Sequence, residues 1–152
     1  MRSSRSRPIR SEWLATSLTQ TCFRRRPDRD PTTACWAGLA RNERDIAVDP
    51  VILGELCFGI LSLARGRRRT RLERWFDDGV ARLYCIPWDA HTGLRWAQLL
   101  TDLRSRGRAM PVKDSLIAAT ALTHDLAIAT PNRRDFEAAG ARLVDPASAD
   151  PD

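Results

Sequence analysis

From residue 45 onward, short apolar segments alternate with longer amphipathic ones, and this alternation restricts the possible folds more than any other feature of the chain. The strand-like segments are IAV (46–48), LYCIPW (83–88), LAIAT (126–130) and ARLVD (141–145). The helix-like segments between them are 51–64, 67–79, 90–105, 114–125 and 133–140. Strands that alternate with helices pair in parallel through right-handed crossovers, with helices on both faces. The sequence therefore predicts an α/β fold with a central, mostly parallel sheet flanked by helices.

The size of the chain and its cysteine and histidine content argue against several classes of protein. A chain of 152 residues is long enough for one domain with a single hydrophobic core. The longest apolar run, 51–64, is too short to cross a membrane, and polar residues follow the Arg-rich start, so we expect a cytoplasmic protein. The four cysteines form no CxxC pair, and the two histidines accompany no Ser or Cys nucleophile motif. We therefore expect no zinc site, disulfide framework or hydrolase triad.

The net charge of +6 is concentrated at the N-terminus. Residues 1–29 hold eight arginines against Glu12 and Asp28, whereas the rest of the chain holds equal numbers of basic and acidic residues. The high net charge is therefore weak evidence for an RNA-binding surface on the folded part. Because residues 1–38 are rich in Arg, Ser and Pro, we expect a disordered or poorly packed segment there, a folded domain over 39–146 and a tail over 147–152.

Two carboxylates lie where the helical pattern predicts an apolar face. Glu55, in GELCFGILSLARG (54–66), has apolar residues or glycine three and four positions away on both sides. Asp114 opens the segment DSLIAATALTHD and has apolar residues three, four and seven positions later. The alternatives are a partly exposed or arginine-paired side chain for Glu55 and a helix N-cap for Asp114. Carboxylates that converge where strands end repel one another, and a bound divalent cation would relieve that repulsion.

Asn132 and Asp135 form a third polar element, directly after the strand-like segment LAIAT. Ligand sites in parallel α/β folds lie beyond the carboxyl ends of the strands, and oxygen ligands suit a hard cation such as Mg²⁺. The alternative is a simple turn at Pro131-Asn132, followed by a solvated acid in the first turn of a helix. The pattern permits both interpretations.

An arginine run opens the segment 67–79. Such a run is more often a solvated helix face than a track for nucleic-acid phosphates, because long basic side chains are readily accommodated in water. If the protein binds RNA, the first arginines of this helix are the candidates for contact with its backbone. They are Arg67, Arg68 and Arg69.

Three blocks of the chain resemble the PIN-domain ribonucleases of the VapC toxin type: VILGELCFGI, GRRRTRLERWF and the segment from LRWAQLLTDL to GARLVDP. The resemblance covers about residues 39–146. It implies a compact three-layer α/β fold, an acidic pocket that holds Mg²⁺ or Mn²⁺, and endonucleolytic cleavage of RNA. It also implies a cognate antitoxin as partner and a homodimer. By motif, Glu55 and Asp114 match two metal-site acids, and Asn132 and Asp135 fall where the family places the remaining one.

The N-terminus departs from this family, which begins with a hydrophobic strand ending in an Asp-Thr-Asn motif. SLTQTCFRR (17–25) stands in its place, so we expect the first strand to be degraded or replaced and one metal ligand to be missing. Codons can be chosen for SLTQTCFRR that, read from their third nucleotide, encode LDTNVLSE. We therefore hypothesise that this segment is read out of frame, which the nucleotide sequence of the gene would test.

The resemblance implies a metal-dependent endoribonuclease toxin of a type II toxin–antitoxin system. In such a site the metal would activate water for in-line hydrolysis of a phosphodiester bond, with Glu55, Asp114 and Asp135 as the catalytic acids. The alternative is an impaired or decayed toxin that acts only through its antitoxin or its dimer partner. A receiver-like signalling domain is a more distant possibility, since the only lysine, Lys113, precedes a helix instead of following a late strand.

Overall fold

The computed structural model describes residues 13–15, 46–130 and 132–144, and within them five parallel strands form one sheet. The order across the sheet is β3-β2-β1-β4-β5. In chain order the strands are β1 (Trp13–Ala15), β2 (Ile46–Val48), β3 (Tyr84–Cys85), β4 (Ala127–Ala129) and β5 (Leu143–Val144). The backbone of β1 pairs with both neighbours, so that Trp13 lies opposite Ile46 on one side and Ala127 on the other. The predicted α/β fold with a central parallel sheet is confirmed.

Four helices connect these strands: α1 (Pro50–Leu61), α2 (Arg67–Asp78), α3 (Ala90–Ser105) and α4 (Val112–His124). Asp49 and Asp89 cap α1 and α3, and each accepts a hydrogen bond from a backbone N–H three residues later. Short 3₁₀ turns follow at Val80–Arg82, Arg133–Asp135 and Glu137–Ala139. None of the helices in the described part of the chain is long and apolar enough to cross a membrane.

The core lies between the sheet and the inner faces of the helices. Strands β2 and β4 are buried along their whole length, which fits continuous apolar runs in a sheet covered on both faces. From α1 a stripe with a spacing of four residues enters the core, formed by Ile52, Leu56 and Ile60. Helix α4 contributes small residues, including Ala118 and Ala121, which allow it to pack closely against its neighbours.

Several predicted boundaries differ from the observed ones. Helix α1 ends at Leu61 and not at residue 64. Ser62 caps it, because its hydroxyl donates to the Phe58 carbonyl at 2.7 Å and its backbone N–H donates to the carbonyls of Phe58 and Ile60. The strand predicted over 83–88 is limited to Tyr84–Cys85, although the backbone N–H of Ile86 still donates to Val48. Pro87 has no N–H with which to continue that ladder.

The segments that flank β4 also differ from prediction. Helix α4 begins at Val112, before the predicted start at Asp114, because Pro111 sets the extended conformation that precedes a first helical turn. The helix predicted over 133–140 is a pair of 3₁₀ turns, in which the N–H of Phe136 donates to Arg133 and that of Ala139 to Phe136. Gly140 then adopts a φ of 71°, which ends the segment.

Strand β1 occupies the middle of the sheet, so a central strand is present, and whether it replaces the family's first strand stays a prediction. Parallel pairing uses backbone N–H and C=O groups, which do not depend on an Asp-Thr-Asn motif. The segment 17–25, where we hypothesise a change of reading frame, lies outside the described residues. The tail 147–152 and most of the segment 1–38 lie outside them too.

Candidate active site

The three predicted acids come from elements that meet at the carboxyl edge of the sheet. Glu55 lies in α1, which follows β2, and Asp135 lies in the 3₁₀ turn after β4. Helix α4 runs back to the start of β4, so its first turn, which carries Asp114, lies at the same edge as the ends of the strands. The topology therefore directs acids that are 80 residues apart in the chain to one place.

Glu55 and Asp135 both act electrostatically on Asp114. Burial of the Asp114 carboxyl raises its pKa to about 6, and the negative charges of Asp135 and Glu55 add to this effect. The positive charge of Lys113 opposes it. A carboxyl that is desolvated and faces two further carboxylates holds its charge at a cost in free energy, which a cation would reduce. Glu55 and Asp135 therefore lie within electrostatic range of Asp114, and their role as metal ligands stays a prediction.

Glu55 lies at the border of the apolar stripe of α1. Its side chain is 29% exposed, and Oε1 accepts a hydrogen bond from Lys113 Nζ at 2.5 Å. The residues that enter the core are Ile52 and Leu56, whereas Phe58 is exposed, so Glu55 is less buried than the pattern predicted. The alternative of a partly exposed, ion-paired Glu55 is correct, except that the partner is a lysine and not an arginine.

Asp114 does not cap α4. Pro111 occupies the N-cap position, and Asp114 lies in the first turn, partly buried beside Ser115. The N-cap interpretation is wrong because the helix begins two residues earlier than the sequence pattern indicated. At this position the carboxylate still benefits from the positive end of the helix dipole. Its carboxylate therefore has no capping role and can belong to the acidic cluster of Glu55, Asp114 and Asp135 at the edge of the sheet.

Asn132 and Asp135 contact each other directly, with Asn132 Nδ2 donating to Asp135 Oδ2. The backbone N–H of Asn132 donates to the Thr130 hydroxyl at 3.1 Å, which fixes the turn after β4 to a buried residue. Both side chains are partly buried, so the interpretation of Asp135 as a solvated acid is wrong. The amide hydrogen bond holds the Asp135 carboxylate close to the strand end.

The three candidate arginines differ in their surroundings. Arg69 Nε pairs with Glu73 at 2.7 Å, and its guanidinium also donates to the Leu61 carbonyl at 3.2 Å, which ties α2 to the end of α1. Arg67 and Arg68 are exposed at the start of α2. Arg69 therefore has a structural role, and RNA contact by Arg67 and Arg68 stays a prediction.

A buried hydrogen-bond network around Asp49 was not predicted from the sequence. This carboxyl is inaccessible to solvent, and burial raises its pKa. Its Oδ1 accepts from the N–H of Ile52 at 2.9 Å, and its Oδ2 accepts from the Thr120 hydroxyl at 2.8 Å. Thr120 in turn accepts from Trp88 Nε1 at 3.0 Å. The network joins α1 to α4, the helices that carry Glu55 and Asp114.

A divalent cation fits this site in charge and in donor chemistry. Carboxylate and amide oxygens are the ligands that Mg²⁺ and Mn²⁺ prefer, and the pKa of Asp114 is raised first by burial and then by the negative charges of Asp135 and Glu55. Within 46–130 and 132–144, however, no three acidic, histidine or cysteine side chains are already grouped as a metal centre. The Lys113 ammonium forms an ion pair with Glu55, and it supplies the positive charge next to this carboxylate.

The family model of the PIN domain matches residues 21–141, which is most of the chain. The chain belongs to the PIN-domain family. It is 26% identical over 136 residues to the VapC ribonuclease Y4jK of Sinorhizobium fredii, an alignment that covers 88% of this chain and 95% of that protein. The resemblance to VapC-type PIN domains is therefore confirmed.

Solved structures give the same result for the fold. The FitAcB structure from Neisseria gonorrhoeae superposes with a TM-score of 0.73 at 23% identity and covers 88% of this chain and 97% of that one. VapBC-5 from Mycobacterium tuberculosis, a member of the VapBC family of toxin–antitoxin systems, superposes with a TM-score of 0.64 at 26% identity. It covers 89% of this chain and 96% of its own.

Proposed function

We propose that this protein is a metal-dependent endoribonuclease, the toxin of a type II toxin–antitoxin system. The observation that carries the proposal is the meeting of Glu55, Asp114 and Asp135 at the carboxyl edge of a PIN-domain sheet, with the pKa of Asp114 raised to about 6. Similarity to the VapC ribonuclease Y4jK supports RNA as the substrate class. Because RNA is the substrate, we place the protein in the cytoplasm.

Mg²⁺ or Mn²⁺ would be held by Glu55, Asp114 and Asp135, with Asn132 beside them. When bound, such an ion lowers the pKa of water and balances the charge of a phosphodiester group. Asn132 orients the Asp135 carboxylate through its amide hydrogen bond. The Asp49–Thr120 hydrogen bond fixes α1 against α4, so that Glu55 and Asp114 keep their separation. The hydrolysis adds the oxygen of water to phosphorus and releases the 3′ oxygen of the preceding nucleotide.

An antitoxin and a second copy of the chain are the proposed partners. The similarity to VapBC-5, from a family of toxin–antitoxin systems, supports the first. Helix α1 also presents apolar side chains to solvent, since Phe58 is 68% exposed and Leu61 is 54% exposed. Large exposed apolar groups on neighbouring turns are typical of a surface that another protein covers. These residues support a protein partner on the outer face of α1.

One observation favours a second candidate, a toxin whose catalysis is impaired. In the described part of the chain the acids do not form a ready metal centre, and the lysine ammonium already neutralises Glu55. A chain in this state could retain antitoxin or dimer binding without cleaving RNA. The difference between the two candidates lies in whether a divalent ion can enter the cluster.

Cleavage of RNA by the purified chain, with Mg²⁺ or with EDTA, tests the proposal. We expect Mg²⁺-dependent cleavage that Asp114→Asn reduces by about a hundredfold or more, because the substitution removes a ligand charge at the reacting centre. Asp125→Asn is the matched control, since it makes the same chemical change at the opposite end of α4. Equal cleavage by all three proteins would refute the nuclease assignment and leave family membership intact.

A further inference from the structure

Lys113 is the only lysine of the chain, whose other 24 basic residues are all arginine. It lies in the first turn of α4, next to Asp114, and its ammonium contacts Glu55 in α1. The two partners are 58 residues apart in the sequence, so the pair depends on the packing of the two helices. An arginine at this position could bind two carboxylate oxygens in a fork, whereas a lysine provides a compact point charge on a flexible stem.

The exposure of the two side chains shows that the pair can open. The Lys113 side chain is 61% exposed, so its ammonium can leave Glu55 and remain hydrated. The Glu55 side chain is 29% exposed and cannot move as freely, because its helix is packed into the core on either side of it. An ion pair with one mobile, exposed partner contributes little to stability. Lys113 can therefore be displaced without disturbing the fold.

The charge of the cluster favours the binding of a divalent ion. Three ionised carboxylates carry three negative charges, and a lysine alone offsets one of them. A divalent ion together with Lys113 would offset all three, and it would bind Glu55 as a hard cation binds oxygen ligands. A metal ion bound to Glu55 would repel the ammonium next to it and would weaken its contact with the Glu55 carboxylate.

We propose that Lys113 is the counter-ion of the metal-free site, where it holds Glu55 until a divalent metal displaces it. The inference rests on the proposed function, because it presumes that the cluster binds a metal. It assigns to Lys113 the role of a positioning residue that acts through Glu55. The lysine keeps the carboxylate oriented before the metal arrives, and it weakens metal binding by competing for that carboxylate.

Calorimetric titration of the full chain with Mn²⁺ tests this competition directly. We expect Lys113→Met to bind Mn²⁺ about fivefold more tightly than the unmodified protein, the factor that corresponds to one partly exposed ion pair. Arg142→Met is the matched control. Arg142 is similarly exposed and pairs with Asp125 at the far end of α4, so its loss removes the same net charge away from the cluster. That variant should bind Mn²⁺ as the unmodified protein does.

The single lysine provides a second measurement that does not depend on catalysis. A lysine-selective acylating reagent followed by mass spectrometry reports on Lys113 alone once the N-terminal amine is distinguished. We expect Mn²⁺ to accelerate labelling severalfold, because the amine is released from Glu55. In Glu55→Gln the labelling should be fast without metal and should no longer respond to it.

The outcomes separate the inference from the proposed function. If the protein binds Mn²⁺ but Lys113→Met binds it equally or more weakly, or if Mn²⁺ leaves the labelling rate unchanged, the counter-ion role is refuted and the nuclease proposal stands. If neither the unmodified protein nor its variants bind Mn²⁺, the metal-dependent function itself is refuted, and the counter-ion role with it.

Discussion

Removing the charge of Asp114 should make the metal-free protein more stable. Burial and the neighbouring acids raise the pKa of this carboxyl from its ordinary value of 3.8 to about 6. Each unit of pKa corresponds to about 1.4 kcal/mol, so the full shift sets an upper limit of about 3 kcal/mol on the cost of ionisation in the folded state. Because the side chain is only partly buried, solvent screening reduces this cost to about 1–2 kcal/mol. We expect Asp114→Asn to recover that amount at neutral pH.

The pH dependence has a definite sign. Between pH 3.8 and about 6 the folded protein binds the Asp114 proton and the unfolded chain does not, so stability decreases as the pH rises through this range. Asparagine does not ionise, and the variant lacks this loss. The advantage of Asp114→Asn should therefore be small below pH 4, grow between pH 4 and 6, and stay constant above.

Urea denaturation in EDTA at several values of pH between 4 and 7.5 measures this difference. Asp125→Asn provides the matched control, because the Asp125 side chain is 98% exposed and its replacement should give a flat profile. Without EDTA, Mn²⁺ should stabilise the unmodified protein more than Asp114→Asn. An Asp114→Asn variant that is less stable at pH 7, or whose advantage does not change with pH, would refute the charge cluster as described.

Two further predictions concern residues outside the cluster. Asp49→Ala should lower the free energy of unfolding by about 2–4 kcal/mol, because it removes a buried helix cap and leaves the Thr120 hydroxyl without its acceptor; Asp49→Ser, which can still cap α1, should lose less, and equal losses in urea titrations would contradict this account. If both arginines contact RNA phosphates, replacing Arg67 and Arg68 together with Gln should weaken RNA binding and reduce the slope of log Kd against log salt by about 1.4, or about 0.7 for each lost contact on a single strand. Fluorescence anisotropy with a labelled RNA and an Asp114→Asn background measures this, and an unchanged salt dependence would exclude these arginines from the RNA surface.

The order of elements followed from the sequence because each depends on local pattern. The alternation of short apolar segments with longer amphipathic ones acts over a few residues at a time, and the structure reproduces its order. The ends of strands were predicted less well, because a strand ends where the neighbouring strand no longer offers backbone hydrogen bonds, and the sequence of one strand does not show this. Thus LYCIPW reads as six apolar residues, but only Tyr84–Cys85 pair with β2.

The site was predictable in part for the same reason. Parallel topology alone brings the elements that carry Glu55, Asp114 and Asp135 to one edge, so their convergence could be inferred from the order of strands and helices. The contacts of Lys113 with Glu55 and of Asp49 with Thr120 span 58 and 71 residues and depend on how α1 and α4 are rotated against each other. No local pattern encodes that rotation, and both contacts were missed.

The central position of β1 has a consequence for the timing of synthesis. This strand comes from the start of the chain, yet one of its two partners, β4, is made more than a hundred residues later. At 5–20 residues per second that interval is on the order of ten seconds. For most of this time the growing polypeptide lacks Asp114, and throughout it lacks Asp135, so the proposed site cannot assemble before the central strand has its second partner.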